Sequence, residues 1–188
     1  MELFYIQQIL EGNPDKFSYF VDQYKNMAFS IALRIVNNNE DAEEVVQDSF
    51  LKAYKSLASF RGDSKFSTWL FKIVVNRSLS KVRRKVFITK EVEIEDVPDS
   101  LIENTEATYR KLTQSEQKKY INQALDKLNT DDRLFLTLYY LNENTIDEIS
   151  DITLVSRENI KMKLHRARKK MYLAVSLILK SESKNLIQ

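Results

Sequence analysis

Cysteine is absent from this sequence of 188 residues, and glycine and proline each occur only twice. Without cysteine the chain can form neither disulfides nor thiolate metal sites, which is compatible with a cytoplasmic location. Two glycines are too few for the glycine-rich loops that bind phosphates and dinucleotides, and a single histidine argues against a histidine metal site. Because helix-breaking residues are so scarce, the composition favours long helices over turn-rich sheets. We therefore predict an all-α protein.

Long apolar runs and catalytic patterns are missing as well. Hydrophobic residues make up 43% of the chain and charged residues 30%, but no uninterrupted apolar stretch reaches the ~20 residues that a membrane span requires. The first residues include Glu2 and lack a basic segment leading to a small-residue cleavage site, so no secretory signal is visible. No nucleophile and base are paired by spacing. We expect a soluble cytoplasmic protein that is not an enzyme, needs no cofactor or metal, and does not insert into membranes.

The net charge of +2 conceals segregated blocks of charge. Residues 40–48 carry five acids and no base, and residues 91–106 carry seven acids and no base. Residues 81–90 carry five bases and no acid, and residues 157–170 carry seven Lys or Arg against one Glu. Such blocks indicate separate surfaces for separate partners, and the two basic blocks suit nucleic acid.

Apolar residues recur at helical spacing in three segments of the N-terminal half. The first predicted helix begins with Asn13 as its N-cap and Pro14 at its first position, and it ends near Asn37. The second predicted helix spans about 40–57 and the third about 65–85.

The segment 87–114 is acidic and shows weak periodicity, which is typical of a linker. After it, four further helices are predicted at about 116–128, 131–141, 146–153 and 157–179. We expect two small helical domains, at 1–86 and 115–180, which are joined by this flexible acidic linker and followed by a tail at 181–188.

The last two predicted helices form a helix-turn-helix. Thr145 and Glu148 fit the capping box at the start of the first one, and Ser156 is a second good N-cap after a short break. The final helix combines an apolar stripe with strongly basic flanks. The second helix of such a pair can enter the major groove of DNA, and its first residues could reach base edges.

Three stretches of sequence occur in a definite order: DAEEVVQDSFLKAY at 41–54, FRGDSKFSTWL at 60–70 followed by Asn76, and a third running from Glu148 through Ile160 to LHRAR at 164–168. Together they resemble RNA polymerase sigma factors of the small two-domain, extracytoplasmic-function type, group IV of the sigma-70 family. The first resembles the helix that docks onto core polymerase. The second resembles the loop and helix that read and melt the −10 promoter element, and the third resembles the helix-turn-helix that reads the −35 element.

The resemblance implies that the chain binds core RNA polymerase, through the clamp helices of the largest subunit and the flap of the second largest, and that it binds promoter DNA. It also implies an anti-sigma factor as an inhibitor. The implied polymerase-binding residues are Asp41, Glu44, Gln47, Asp48 and Leu51. The implied −10 residues are Phe60, Arg61, Ser64, Phe71, Lys72, Asn76, Arg77 and Arg83. The implied −35 residues are Arg157, Glu158, Asn159, Lys161, Met162, His165 and Arg166.

The chemistry of these segments fits the implied roles. An acidic face that includes Leu51 can pair with a basic coiled coil, using charge for steering and an apolar contact for affinity. An aromatic loop beside a basic helix can hold an unpaired base that has left the stack, with Phe60, Phe71 and Asn76 as its pocket. A lone tryptophan on a helix of a small domain is more often a core residue, so Trp69 is expected in the core.

Two positions depart from the family pattern. Leu154 stands where the turn usually carries glycine, and a positive φ angle costs a non-glycine residue about 1 kcal/mol or more. We therefore expect a slightly remodelled turn. Met162 replaces a small polar residue, which bears on the −35 sequence that is read.

The alternative function is a stand-alone helix-turn-helix transcriptional regulator with a helical sensor domain, which would need neither a docking helix nor a melting loop.

Overall fold

Helices form every regular element in the described residues, which are 1–85 and 113–185 of the computed structural model, with side chains described in 1–82 and 113–181. The predicted all-α class is confirmed. The predicted linker lies outside the described residues except for its last two positions.

The N-terminal group of helices packs around a dense aromatic and aliphatic core. Its elements are α1 (Glu2–Leu10), a 3₁₀ turn (Pro14–Phe17), α2 (Ser18–Val36), α3 (Asn39–Lys55), a second 3₁₀ turn (Leu57–Ser59) and α4 (Phe66–Lys85). Helices α2, α3 and α4 pack against one another. Phe20, Ile31, Leu57, Phe66 and Leu70 are completely or almost completely buried between them, so burial of apolar area holds this group together.

The start of the chain differs from its prediction. Helix α1 was not predicted, and no side chain caps its N-terminus. It is held by tertiary contacts instead, with Ile6 and Ile9 buried in the core and Tyr5 stacked on Tyr19 at 4.4 Å between ring centroids. Such packing stabilises a helix that is too short to persist alone. Pro14 opens a 3₁₀ turn rather than an α-helix, and the side chain of Asn13 makes no capping bond.

The C-terminal group begins each of its first three helices with a side-chain cap. Its elements are α5 (Gln114–Lys127), α6 (Thr130–Leu136), a π-helical turn (Thr137–Leu141), α7 (Ile146–Thr153) and α8 (Arg157–Asn185). Thr113 and Glu116 form a capping box at α5, and Asn129 caps α6. The predicted capping box of Thr145 and Glu148 at α7 is confirmed. Helix α8 runs past its predicted end to Asn185. Its C-terminal half is held by Ala174, Val175 and Ile178, which pack with Tyr120 and Ala124 of α5.

The two groups of helices lie directly against each other, α2 against α6 and α4 against α7. Polar contacts cross this interface. Nη1 of Arg133 donates to Oδ1 of Asn37 at 3.1 Å, and Lys65 pairs with Glu148 at 2.7 Å. The protein therefore takes a closed arrangement in which α4 touches α7, the first helix of the predicted helix-turn-helix.

Candidate DNA and protein interfaces

The residues expected to dock onto polymerase lie along one side of α3. Glu44 and Gln47 are exposed, and Leu51 has 57% of its surface exposed although it is apolar. These side chains are exposed because the helix repeats every 3.6 residues and Val45, Ser49 and Phe50 occupy the side of α3 that faces the core. Asp48 is half-buried, and Asp41 is drawn inward toward α4.

Helix α4 neutralises part of this acidic face. Nη1 of Arg77 lies 2.8 Å from Oδ2 of Asp48, and Nζ of Lys81 lies 3.2 Å from Asp41 and 2.5 Å from Glu44. The hydrogen bond to Glu44 is the largest cause of a pKa of Lys81 above its usual value. Lys81 is a site residue that the sequence motifs do not mark, although it opens the basic block 81–90.

These ion pairs line an open groove of about 430 Å³ between α3 and α4. Its walls consist of Glu44, Val45, Asp48, Asn76, Arg77, Ser80 and Lys81. Residues that the sequence assigned to two surfaces, one for polymerase and one for DNA, therefore share one groove. Asn76 and Arg77 are exposed in it and accessible to a ligand strand.

The loop before α4 is backed by an aromatic cluster. The ring of Phe60 lies 5.7 Å from that of Phe66 and 5.4 Å from that of Trp69. Phe60, Ser64 and Trp69 are half-buried, and Arg61 is exposed. Trp69 packs against the core, as expected, while one side of the cluster faces solvent at Phe60.

The assignment of Phe71 to a surface pocket is wrong. Its side chain is only 1% exposed and meets the ring of Tyr24 edge-on at 6.2 Å. Phe71 and Asn76 are five positions apart, which on a helix rotates them by roughly 140° and puts them on opposite sides of α4. Lys72 is half-buried beside it. The side chain of Arg83 lies outside the described residues.

The turn of the helix-turn-helix contains a left-handed residue. Leu154 has φ +61° and ψ +24°, and its N–H donates to the carbonyl of Ser150 at 2.8 Å. The expected remodelling of the turn does not occur, because Leu154 itself takes the conformation that glycine adopts more easily. The hydroxyl of Ser150 donates to the carbonyl of Val155 at 2.8 Å and closes the turn.

Helix α8 presents the predicted recognition face to solvent. Its exposed members are Arg157, Glu158, Asn159, Lys161, Met162, His165 and Arg166. The buried stripe of Ile160, Leu164 and Ala167 faces the core.

Four basic residues of α8 fall into two sets. Lys163 and Lys170 pair with Asp131 and Asp132 of α6 at 3.0 and 2.6 Å. Within the described part of the chain, Lys161 and Arg166 form no ion pair. Lys163 and Lys170 therefore hold α8 against α6 of the same group of helices. The ammonium group of Lys161 is available to bind a phosphate or a base.

The described residues contain no group of His, Cys, Asp or Glu side chains arranged to hold a metal ion. None of their helices combines the length and apolarity needed to cross a membrane.

Two models of known protein families match this chain. The family model for Sigma-70 region 2 matches residues 20–87, and that for Sigma-70, region 4 matches residues 118–171. The first covers α3, the loop and α4, and the second covers α7 and the first half of α8. The chain belongs to the sigma-70 family. Within it, this sigma factor is of the extracytoplasmic-function type, and it directs promoter-specific transcription initiation by core RNA polymerase.

Curated relatives resemble the sigma factor over most of its length. The ECF RNA polymerase sigma factor SigW of Bacillus subtilis is 28% identical over 87% of this chain and 90% of that protein. The ECF RNA polymerase sigma-E factor of Haemophilus influenzae is 28% identical over 87% of this chain and 89% of that protein.

A solved structure shares the fold of the sigma factor. It is the sigma factor RpoE of Bartonella quintana in complex with the anti-sigma factor NepR, with a TM-score of 0.64 and 22% identity over 85% of this chain and 96% of that one.

Helix α1 precedes the matched region 2 segment, and neither its presence nor its contacts were found from the sequence. The available signal was the helical spacing of Ile6 and Ile9, three positions apart in ELFYIQQIL.

Proposed function

We propose that the sigma factor divides initiation among three of its surfaces, one for core polymerase and two for promoter DNA. The observation that carries this proposal is the groove between α3 and α4, where an acidic helix with an exposed leucine meets a helix with exposed Asn76 and Arg77. Both helices lie within the matched region 2 segment.

The polymerase surface is formed by Glu44, Gln47, Asp48 and Leu51. Three acidic or polar side chains around one exposed leucine suit a basic coiled coil, since charge guides the encounter and the leucine supplies apolar area. Asp41 takes no direct part in docking in this proposal. It is largely occupied by Lys81 and fixes α3 against α4.

The −10 surface consists of Phe60 and Arg61 on the loop and of Asn76 and Arg77 on α4. An amide side chain can read a base edge, an aromatic ring can stack on an unpaired base, and arginine can bind phosphate. Lys72 and Ser64 are half-buried and lie at its margin. Phe71 supports α4 from within the core.

The −35 surface is the exposed face of α8. Residues at its N-terminus, together with Lys161 and Met162, meet base edges, whereas Arg166 meets phosphate further along the helix. Met162 supplies an apolar contact that fits a thymine methyl group. This surface stays exposed in the closed arrangement.

Polymerase binding opens the closed arrangement and separates the −10 and −35 surfaces. Buried Arg133 leaves its Nε atom without a hydrogen-bond partner among the described residues, and an unmet buried donor weakens an interface. An anti-sigma factor, such as the one bound to the Bartonella quintana protein, would act by covering these surfaces. The sigma factor works in the cytoplasm, carries out no catalysis itself and needs no cofactor.

Adding the purified chain to core polymerase tests this function. Promoter-specific run-off transcription, with little specific DNA binding by the free chain, is the expected result. Strong sequence-specific binding without core, and no transcription with it, would instead identify a stand-alone regulator.

A further inference from the structure

Helix α1 lies outside the matched region 2 segment, yet it contacts the loop that we assign to the −10 element. The loop, residues 60–65, runs from the second 3₁₀ turn to the start of α4. Helix α1 reaches this loop at its beginning, its middle and its end.

Residues of α1 make the first two approaches themselves. Helix α1 packs against the 3₁₀ turn Leu57–Ser59, where the loop begins. In the middle of the loop, Cδ2 of Leu3 lies 3.8 Å from the position that a Cβ atom would take at Gly62. Gly62 has φ +79°, and a glycine there is free to take several conformations unless a neighbour limits it. The side chain of Leu3 is that neighbour.

The third contact runs through a tyrosine. The hydroxyl of Tyr24 donates a hydrogen bond to Oε1 of Glu2. Burial, followed by this bond, raises the pKa of Tyr24 above its usual range, so the hydroxyl remains a donor. The ring of Tyr24 lies 5.9 Å from that of Phe66, the first residue of α4. Glu2 is therefore linked to the point where the loop ends.

Leu3 itself is not a core residue, because 66% of its surface is exposed. The buried positions Ile6 and Ile9 already anchor the helix. An exposed leucine over a loop glycine contributes little to the free energy of unfolding, but it restricts where the loop can move.

We propose that α1 positions the −10 loop, with Leu3 as the positioning residue that holds Gly62 and its neighbours ready to capture an unpaired base. This inference rests on the proposed function for the role of the loop, but the restraint on the loop is a property of the free protein.

Trp69 allows the restraint to be measured without a label. It is the only tryptophan in the chain, and its ring lies 5.4 Å from that of Phe60 in the loop. In Leu3→Ala, acrylamide quenching of Trp69 should increase while the far-ultraviolet circular dichroism stays the same. Leu10→Ala is the matched control, because Leu10 is 54% exposed on the same helix. Quenching in Leu3→Met should return to that of the wild type, since methionine again covers Gly62.

Unchanged quenching in Leu3→Ala, or an equal increase in Leu10→Ala, would show that Leu3 does not restrain the loop.

The holoenzyme gives the second measurement. Permanganate reactivity of the −10 thymines should show promoter opening slowed about fivefold by Leu3→Ala, with core affinity unchanged and opening restored by Leu3→Met. If Leu3→Ala opens the promoter at the wild-type rate, the positioning role alone is refuted. If the wild-type holoenzyme fails to open the promoter, the proposed function falls, and the Trp69 comparison still decides whether Leu3 restrains the loop.

Discussion

Arg77 of α4 donates a hydrogen bond to Asp48 of α3 at 2.8 Å, and so joins the proposed DNA surface to the proposed polymerase surface. Both side chains are roughly half exposed, and such a pair contributes about 0–1 kcal/mol to stability. A substitution at Asp48 changes the surroundings of Arg77 as well. Variants of this acid therefore cannot separate docking from DNA binding, and a docking test needs an uncharged residue.

Leu51→Ala provides that test. Because Leu51 is 57% exposed, its loss should change the free energy of unfolding by less than about 0.5 kcal/mol. If it is the apolar centre of the docking face, core affinity should fall about tenfold, measured by fluorescence anisotropy. Leu177→Ala is the matched control, since Leu177 is 53% exposed on α8. Equal affinities for both variants would exclude Leu51 from the interface.

Phe71 and Asn76 should respond differently to the same change. Phe71→Ala removes a buried ring and should destabilise the protein by about 3–5 kcal/mol in urea unfolding. Asn76→Ala should leave stability within about 0.5 kcal/mol of the wild type and slow promoter opening while closed-complex binding persists. The control is Asn26→Ala, at an exposed asparagine of α2. Loss of closed complexes together with opening would argue against a base contact at Asn76.

Leu154→Gly should stabilise the protein. At φ +61° the left-handed conformation costs leucine about 1 kcal/mol relative to glycine, and the leucine side chain is exposed. The midpoint of thermal unfolding should rise. Met162→Gly, in the interior of α8, should lower it by a comparable free energy. A lower midpoint for Leu154→Gly would mean that the side chain contributes contacts that outweigh the strain.

Lys161 and Lys163 separate DNA binding from packing. Lys161→Ala should reduce the slope of log affinity against log salt by about 0.9 if it contacts a phosphate, or relax sequence preference if it contacts a base. Lys163 is paired with Asp131 at 3.0 Å, so Lys163→Ala should change the slope much less. Holoenzyme binding to −35 fragments measures both. If Lys161→Ala alters neither quantity, the residue does not belong to the site.

The closed arrangement should depend on the charge of Glu148. Although partial burial opposes it, hydrogen bonds from Lys65 and from the N–H and hydroxyl of Thr145 hold the pKa of Glu148 below its usual value. The contribution of this carboxylate to the stability of the closed arrangement is therefore complete above the pKa of glutamate in the unfolded chain. That contribution is lost as the pH falls through the lower pKa that Glu148 has in the folded protein.

Glu148→Gln should reproduce this loss at neutral pH, because glutamine still completes a capping box but cannot pair with Lys65. Energy transfer between dyes on α2 and α8 should decrease, and the absence of cysteine makes selective labelling simple. Glu116→Gln, in the other capping box, is the control. Unchanged transfer in Glu148→Gln would show that the pair with Lys65 does not hold the domains together.

The sequence by itself determined the features that depend on near neighbours. The capping box of Thr145 and Glu148, the bounds of α7 and the buried stripe of α8 follow from residues three or four positions apart, where contacts are fixed by helix geometry. The family resemblance extended this to the function, because its motifs are contiguous or closely spaced stretches of sequence, on α3, on the loop with α4, and on α7 with α8.

Only the tertiary structure decided the features that depend on distant partners. Phe71 is buried because Tyr24, 47 positions earlier, lies against it. Lys81 belongs to the groove because α3 supplies two carboxylates, and Glu148 links two domains because Lys65 reaches it. Helix α1 exists because core packing compensates for its missing cap. In each case the partner is remote in sequence, and no local periodicity specifies which remote side chains will meet.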